Sequence, residues 1–244
     1  MSLADRRRNL GPTDTVPLVV EGAKREPELS DGLRPVFIAQ GVASHANGSA
    51  YLEVGECRFQ CSVYGPQPSR KDFNPRAEVN VNIEIENFAG IEDHENTERT
   101  ISDFVKTCVT PAIVLDDYPK SEITITVTVL AAGPSLYTQL AAAVNVATLA
   151  LINAGIALHD MVTAVSVAVH ENVVYTDVDL FDDATQLVGA YLMAQDKLVG
   201  VSVGSKTDVK KIELENMLEK SRQAAIELRK VFNGFLVEGY AQRK

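Results

Sequence analysis

Tryptophan is missing from this 244-residue chain, and its three cysteines, Cys57, Cys61 and Cys108, form no metal-binding motif. Any disulfide scheme would leave one of them unpaired, so they read as small core residues of a reduced, intracellular protein. Basic excess is also lacking. Lys and Arg total 23 against 33 Asp and Glu, a net charge of −10, which speaks against a chain that grips nucleic acid by itself but leaves room for a few arginines at the edge of a larger assembly. No apolar run approaches the roughly 20 residues that cross a bilayer, and the Arg-rich, polar N-terminus has no hydrophobic signal region. The expectation is a protein that stays inside the cell and has no membrane partner. His45, His94, His159 and His170 are scattered, with no HExxH or Cys-His arrangement. There is no P-loop and no GxGxxG, and Gly41 to Gly55 lacks the strand-to-helix setting of a phosphate loop. No sequence feature nominates a Ser/His/Asp triad, and no repeat of 20 to 50 residues is visible.

What remains, at 45% hydrophobic and 23% charged residues, is an ordinary globular composition long enough for a large core. Residues 1–30 hold Arg6-Arg7-Arg8 and several prolines around a small apolar patch, Val16 and Leu18 to Val20. They predict an extended arm that orders against something else. The arginine run is open to three readings: a nuclear-import fragment, an RNA contact, or solubilising charge.

From Asp31 to Pro66 three short apolar runs read as an antiparallel meander. Asn47-Gly48 is the strongest turn signal, Gly55-Glu56 a weaker one, and Gly65-Pro66 the expected end of the ladder. Val79, Val81, Ile83 and Ile85 alternate with Asn and Glu, a strand with one wet face. Ile101, Phe104, Val105, Cys108, Val109, Ala112 and Ile113 define an amphipathic helix with Asn96 or Thr97 as its cap. Ile123 to Val129 alternate again. Leu136 to Asn153 is apolar on most faces, a buried helix ended by Gly155. Two hairpins follow, Val162–His170 with Val173–Val178 and Val188–Met193 with Leu198–Val203. A long charged-faced helix, Leu214 to Phe232 and beyond, closes the chain. The class expected is α+β, two βα halves with mixed sheets packed on helices as one domain over 31–240, with 241–244 fraying.

The same residues resemble a known family. DGLRP at 31–35, NGSAYLEVG at 47–55 and VYGP at 63–66 are similar to the opening motifs of RNase PH-like proteins. ATLALINAGI at 147–156 closely resembles that family's ATLALADAGI segment. The likeness runs over roughly residues 25 to 238. It implies a subunit of the eukaryotic RNA exosome core ring, a pseudo-hexamer capped by small RNA-binding proteins that threads RNA to a separate catalytic nuclease. It also implies 3′-to-5′ RNA processing and decay, including that of rRNA and mRNA, in the nucleus, nucleolus and cytoplasm. The arm's DRRRNLGP resembles the start of one fungal ring subunit, the one named for messenger-RNA transport.

The positions that carry chemistry in active members of that family depart from pattern here. An arginine pair is expected at the start of the helix after the wet-faced strand, but the chain has Glu98-Arg99-Thr100. Arg99 is open to two readings, an RNA contact or an ion pair at the surface or between subunits. A Gly-Gly-Thr-Arg run is expected at the head of the buried helix to cradle phosphate. Here Leu136-Tyr137-Thr138-Gln139-Leu140 stands in its place, with Leu140 at the arginine position. The aspartate expected on the strand after the acidic loop Asp177–Asp183 falls at Gly189 by gap-free counting. The loop aspartates are open to a Mg²⁺ or to a solvated turn; no metal and no cofactor is assigned. The expectation is a catalytically inactive ring subunit, with Arg99, Arg70, Lys71 and Arg76 along an RNA route and with Thr100, Leu140 and Gly189 as lost active-site positions. The alternative is an active phosphate-dependent 3′-to-5′ exoribonuclease of the same family, which requires the Leu140 and Gly189 alignment to be displaced by several residues.

Overall fold

A helix with almost no polar face must be covered on every side, and that requirement arranges this chain. The computed structural model describes residues 32–69, 75–86, 89, 94–170, 173–177, 184–205 and 209–242. Helix α2, Leu136–Asn153, buries Thr138 through Leu151 without interruption. By length and composition it could cross a bilayer, yet 78% of it is buried inside the protein, the position of a core helix.

Two sheets supply the cover. The first runs β1 (Val36–Gln40), β2 (Gly48–Val54), β3 (Cys57–Pro68), β5 (Ser121–Ala131) and β4 (Glu78–Ile85), in that spatial order. Its pairs are antiparallel except β4 with β5, which is parallel. The second is fully antiparallel, in the order β7 (Val173–Thr176), β6 (Val162–His170), β8 (Thr185–Leu192) and β9 (Lys197–Gly204). Helices α1 (His94–Val109) and α2 pack against the inner face of the first sheet, and α2 also packs against the second. Helix α3 (Lys211–Gln242) lies against β6, β7 and β8. One buried apolar cluster runs through both sheets and all three helices. The alternating Ile123, Ile125, Val127 and Val129 are fully buried within it, each worth about 1.5–3 kcal/mol of apolar transfer.

The polar residues of α2 fasten it to both sheets. Beyond the short β7, the edge of β6 has no strand neighbour among the described residues. There Asn145 takes the strand's place: its Nδ2 donates to the Ala164 carbonyl at 2.8 Å, and its Oδ1 accepts from the Ala164 N–H at 2.9 Å. At the other end Asn153 Oδ1 accepts from the Ser49 N–H of β2 at 3.0 Å. The helix closes in a Schellman motif. Gly155, at φ 72°, donates to Ile152 O, and Ile156 donates to Leu151 O.

Several local expectations are revised. Gly48 is not a left-handed turn residue. The β1–β2 connection is the longer loop 41–47, and Gly48 is already the first residue of β2. Glycine is needed there for close approach, since a Cβ would lie 2.2 Å from the Ala154 nitrogen. The true two-residue turn is Gly55-Glu56, with Val54 opposite Cys57. Strand β3 does not stop at Gly65-Pro66. It passes a register shift between Tyr64 and Gln67 and continues to Pro68, with the Gly65 N–H satisfied by Asn47 Oδ1 at 3.0 Å. Helix α1 begins at His94, so Asn96 and Thr97 lie inside its first turn rather than capping it. Strand β7 ends at Thr176, short of Val178, and β8 begins at Thr185, ahead of Val188. Residues 1–31, the hairpin tip Glu171-Asn172 and residues 243–244 of the expected tail fall outside the described residues.

Two measurements follow from this packing. Gly48→Val should lower stability by at least about 2 kcal/mol, read as a drop in urea midpoint at unchanged slope, because the clash is with backbone. Burial pushes the Cys108 thiol up to about 12 from an ordinary 9.0, and raises Cys61 further. A raised folded-state pKa gives stability that is full below pH 9 and is lost as pH climbs from there toward about 12. Urea midpoints should therefore hold from neutrality to pH 9 and then fall, less steeply in Cys108→Ala.

Candidate functional site

The head of α2 is where a phosphate would meet free N–H groups. Ser135 sits at its N-cap in an extended conformation, but its hydroxyl does not cap the helix. It donates instead to Gln186 Oε1 of β8 at 2.6 Å. Gln139 Nε2 donates to the Gly133 carbonyl at 2.7 Å, and the Thr138 and Ser166 hydroxyls lie 3.3 Å apart. The first turn carries neither an acidic nor a basic side chain. Burial raises the Tyr137 phenol, which stays neutral at physiological pH. The set is hydroxyls, amides and one phenol. It can orient a neutral group; among the described residues the one carboxylate that lines the same cavity as Thr138 and Ser166 is Asp177, and Arg34 already holds it.

Leu140 is 1% exposed and belongs to the core cluster. Its side chain faces apolar neighbours, where an unpaired cation would cost several kcal/mol. Gly189 is not at the head of α2. On β8 the side chains alternate: Leu187 packs with Met217 of α3, whereas Val188 joins the cluster that contains α2. A Cβ on Gly189 would meet Ser221 Oγ of α3 at 2.6 Å and the Tyr191 ring at 2.8 Å. Glycine there makes room for the Tyr191–Ser221 hydrogen bond, 3.0 Å long. The β8 residues that look toward α2 are Gln186 and Val188, and neither can ligate a metal as a carboxylate does.

Thr100 is exposed on α1 and donates to the Asn96 carbonyl at 2.8 Å. Arg99 beside it is exposed and makes no hydrogen bond or ion pair among the described residues. Arg76 pairs with Asp116 at 2.8 Å, with the side chains 66% and 72% exposed, an interaction worth about 0–1 kcal/mol. Together with Thr107, Thr110 and His159, Arg76 lines an open depression beyond the end of α1. Arg99 lies about 12 Å nearer the start of that helix than Thr107, at 1.5 Å per residue. Arg70 and Lys71 fall outside the described residues, as do Asp179, Asp182 and Asp183 of the acidic loop. Asp177 is described, at φ 54°. Its carboxylate accepts from Arg34 Nη2 at 2.7 Å and Arg34 Nε at 3.0 Å. Among the described residues no three His, Cys, Asp or Glu side chains gather as a metal site.

Sequence reasoning missed three things here: the Arg34–Asp177 clamp, the Ser135–Gln186 bond and the Asn145 edge cap. The first joins residues 143 apart. Only the polarity of Asn145 within an apolar helix hinted at the last.

The layered α+β architecture belongs to a known class. Residues 32–157 match the 3′ exoribonuclease family, domain 1, the RNase PH family. The chain is 32% identical to the exosome complex component Rrp41 of Pyrobaculum aerophilum, over 69% of this chain and 70% of that one. It is also 32% identical to the exosome complex component mtr3 of Schizosaccharomyces pombe, over 70% of this chain and 69% of the relative. Rice Rrp46 superposes with a TM-score of 0.72 at 20% identity, covering 84% of this chain and 96% of Rrp46. A chain of the Archaeoglobus fulgidus exosome with RNA bound to the active site gives 0.68 at 21% identity, covering 83% and 89%. The chain belongs to the RNase PH family and has the RNase PH fold.

The burial of position 140 is directly testable. Leu140→Arg should cost about 3 kcal/mol or more, because it places a charge in a packed core. Urea unfolding monitored by circular dichroism would read this as an early midpoint.

Proposed function

We propose that this chain is a non-catalytic subunit of an exosome core ring, of the mtr3 kind, that helps to form the ring and its RNA channel. The observation that carries this is the head of α2, where Leu140 is turned into the core and the facing strand offers Gln186 and Val188. Phosphorolysis needs an anchored phosphate, and metal-assisted hydrolysis needs carboxylates. Among the described residues the cation and the carboxylate beside this helix head, Arg34 and Asp177, are bound to each other, which supports the reading. Relatives named as exosome components from archaea and a fission yeast support the ring assignment. On this reading the partners are other RNase PH-like subunits, RNA-binding cap proteins, RNA and a separate nuclease. The compartments are the nucleus, the nucleolus and the cytoplasm. Arg99 on the open face of α1, together with Arg76 and, in the neighbouring loop, Arg70 and Lys71, contributes positive charge to the RNA path. Single strands are gripped there without sequence preference.

The test is a 3′-labelled RNA incubated with the chain and with the reconstituted ring, with Mg²⁺ and with or without excess phosphate. The expected result is no nucleoside diphosphate and no monophosphate attributable to this subunit. Phosphate-dependent release of diphosphates by the chain would instead assign the active exoribonuclease reading. In the same ring, Arg99→Ala should weaken single-stranded RNA binding severalfold and reduce the log–log salt slope by about 0.7.

A further inference from the structure

The outer face of the first sheet is covered by no described element. Helices α1 and α2 occupy its other side, and only the loop 41–47 folds over one corner, where the Ala43 N–H donates to Ser49 Oγ at 2.8 Å. Parallel strand pairs are ordinarily covered on both faces, yet on β4 Asn82 and Glu84 stand exposed beside β5. Three aromatic rings share this open face. Phe37 is 59% exposed and meets Tyr51 edge-on at 6.1 Å, and Tyr64 lies 5.9 Å from the His45 ring.

The charges around the rings have one dominant sign. By strand alternation Glu53, Glu78, Glu84 and Glu122 point to this face, against Arg58 among the described strand residues. Arg58 is already engaged by Glu53 at 3.3 Å, and Glu122 accepts from Asn80. Glu84 has no hydrogen bond or ion pair among the described residues. Phosphate backbones are repelled by such a face. A second copy placing the same surface against it would oppose like charges, which costs several kcal/mol.

We infer that this face is a docking surface for an extended, arginine-rich segment of a partner protein. Guanidinium groups would stack on Phe37, Tyr51 and Tyr64 while pairing with Glu53 and Glu84. Arginine suits both contacts, because its planar cation is weakly hydrated and lies flat on aromatic faces.

The experiment titrates a short labelled peptide of alternating Arg and Ser into the full chain, or into its ring complex, by fluorescence anisotropy. Glu84→Lys and Phe37→Ala should each weaken binding by about fivefold or more, as removal of an anchor does. Glu227→Lys, which makes the same charge change on the exposed side of α3, should leave binding within about twofold. Circular dichroism confirms folding of each variant. Equal weakening by Glu84→Lys and Glu227→Lys would reduce the effect to attraction by net charge and overturn the inference. So would absence of peptide binding in the unsubstituted chain. Tighter binding of a labelled oligouridylate that depends on Phe37 would assign the face to RNA instead. Self-association abolished by Phe37→Ala would assign it to a second copy. Peptide affinity that rises on removal of residues 1–30 would assign it to the chain's own Arg6-Arg7-Arg8.

Discussion

Burial of α2 on all sides is the constraint on which the rest depends. A helix sandwiched between two sheets exposes no face on which ordinary surface polarity can sit, so its sequence is mostly Ala, Leu and Val and carries no charged residue. Its few polar side chains must each find a partner or carry a penalty of about 1–3 kcal/mol. Asn145 finds one in the β6 edge beyond β7, and Asn153 finds one at the start of β2. These bonds set the height and rotation of the helix relative to both sheets. The close approach at Gly48 and the Schellman closure at Gly155 then fix its end. Sheet order, core and the placement of the helix head all follow from that docking.

The same constraint bears on what the head of α2 can hold. A phosphate site at the head of α2 needs a cation and room at the first turn, whereas packing needs apolar volume. In this chain packing occupies the position: Leu140 fills core, Ser135 is tied to Gln186, and Gly189 serves the Tyr191–Ser221 contact with α3. Each of these residues is compatible with an unbroken helix. The body also offers surface: an exposed Arg99 on α1 and an acidic, aromatic outer sheet.

Periodic elements were legible from the residues alone. The two-residue period of Val79 to Ile85 and of Ile123 to Val129, and the full apolarity of 136–153, correspond to β4, β5 and α2. Boundaries were less so. Asn47-Gly48 carries a strong turn signal, but the close contact with Ala154 overrides it, and that contact joins residues more than a hundred positions apart. Asn96 and Thr97 are good caps, yet the helix starts before them. At the candidate site, gap-free counting put the expected aspartate position at Gly189 of β8. Strand alternation in three dimensions turns it toward α3 and presents Gln186 and Val188 instead. The Arg34–Asp177 pair has no sequence signature, because each partner is an ordinary charged residue until folding brings them to 2.7 Å.

Calorimetric titration of orthophosphate into the purified chain tests the central claim, a helix head that holds no phosphate, most directly. No saturable heat at neutral pH, in a sample with native circular dichroism, is the predicted result. Saturable binding that is lost on substitution of Ser135 or Thr138 would contradict it, since it would show that the neutral donors at the head of α2 suffice for phosphate without an arginine.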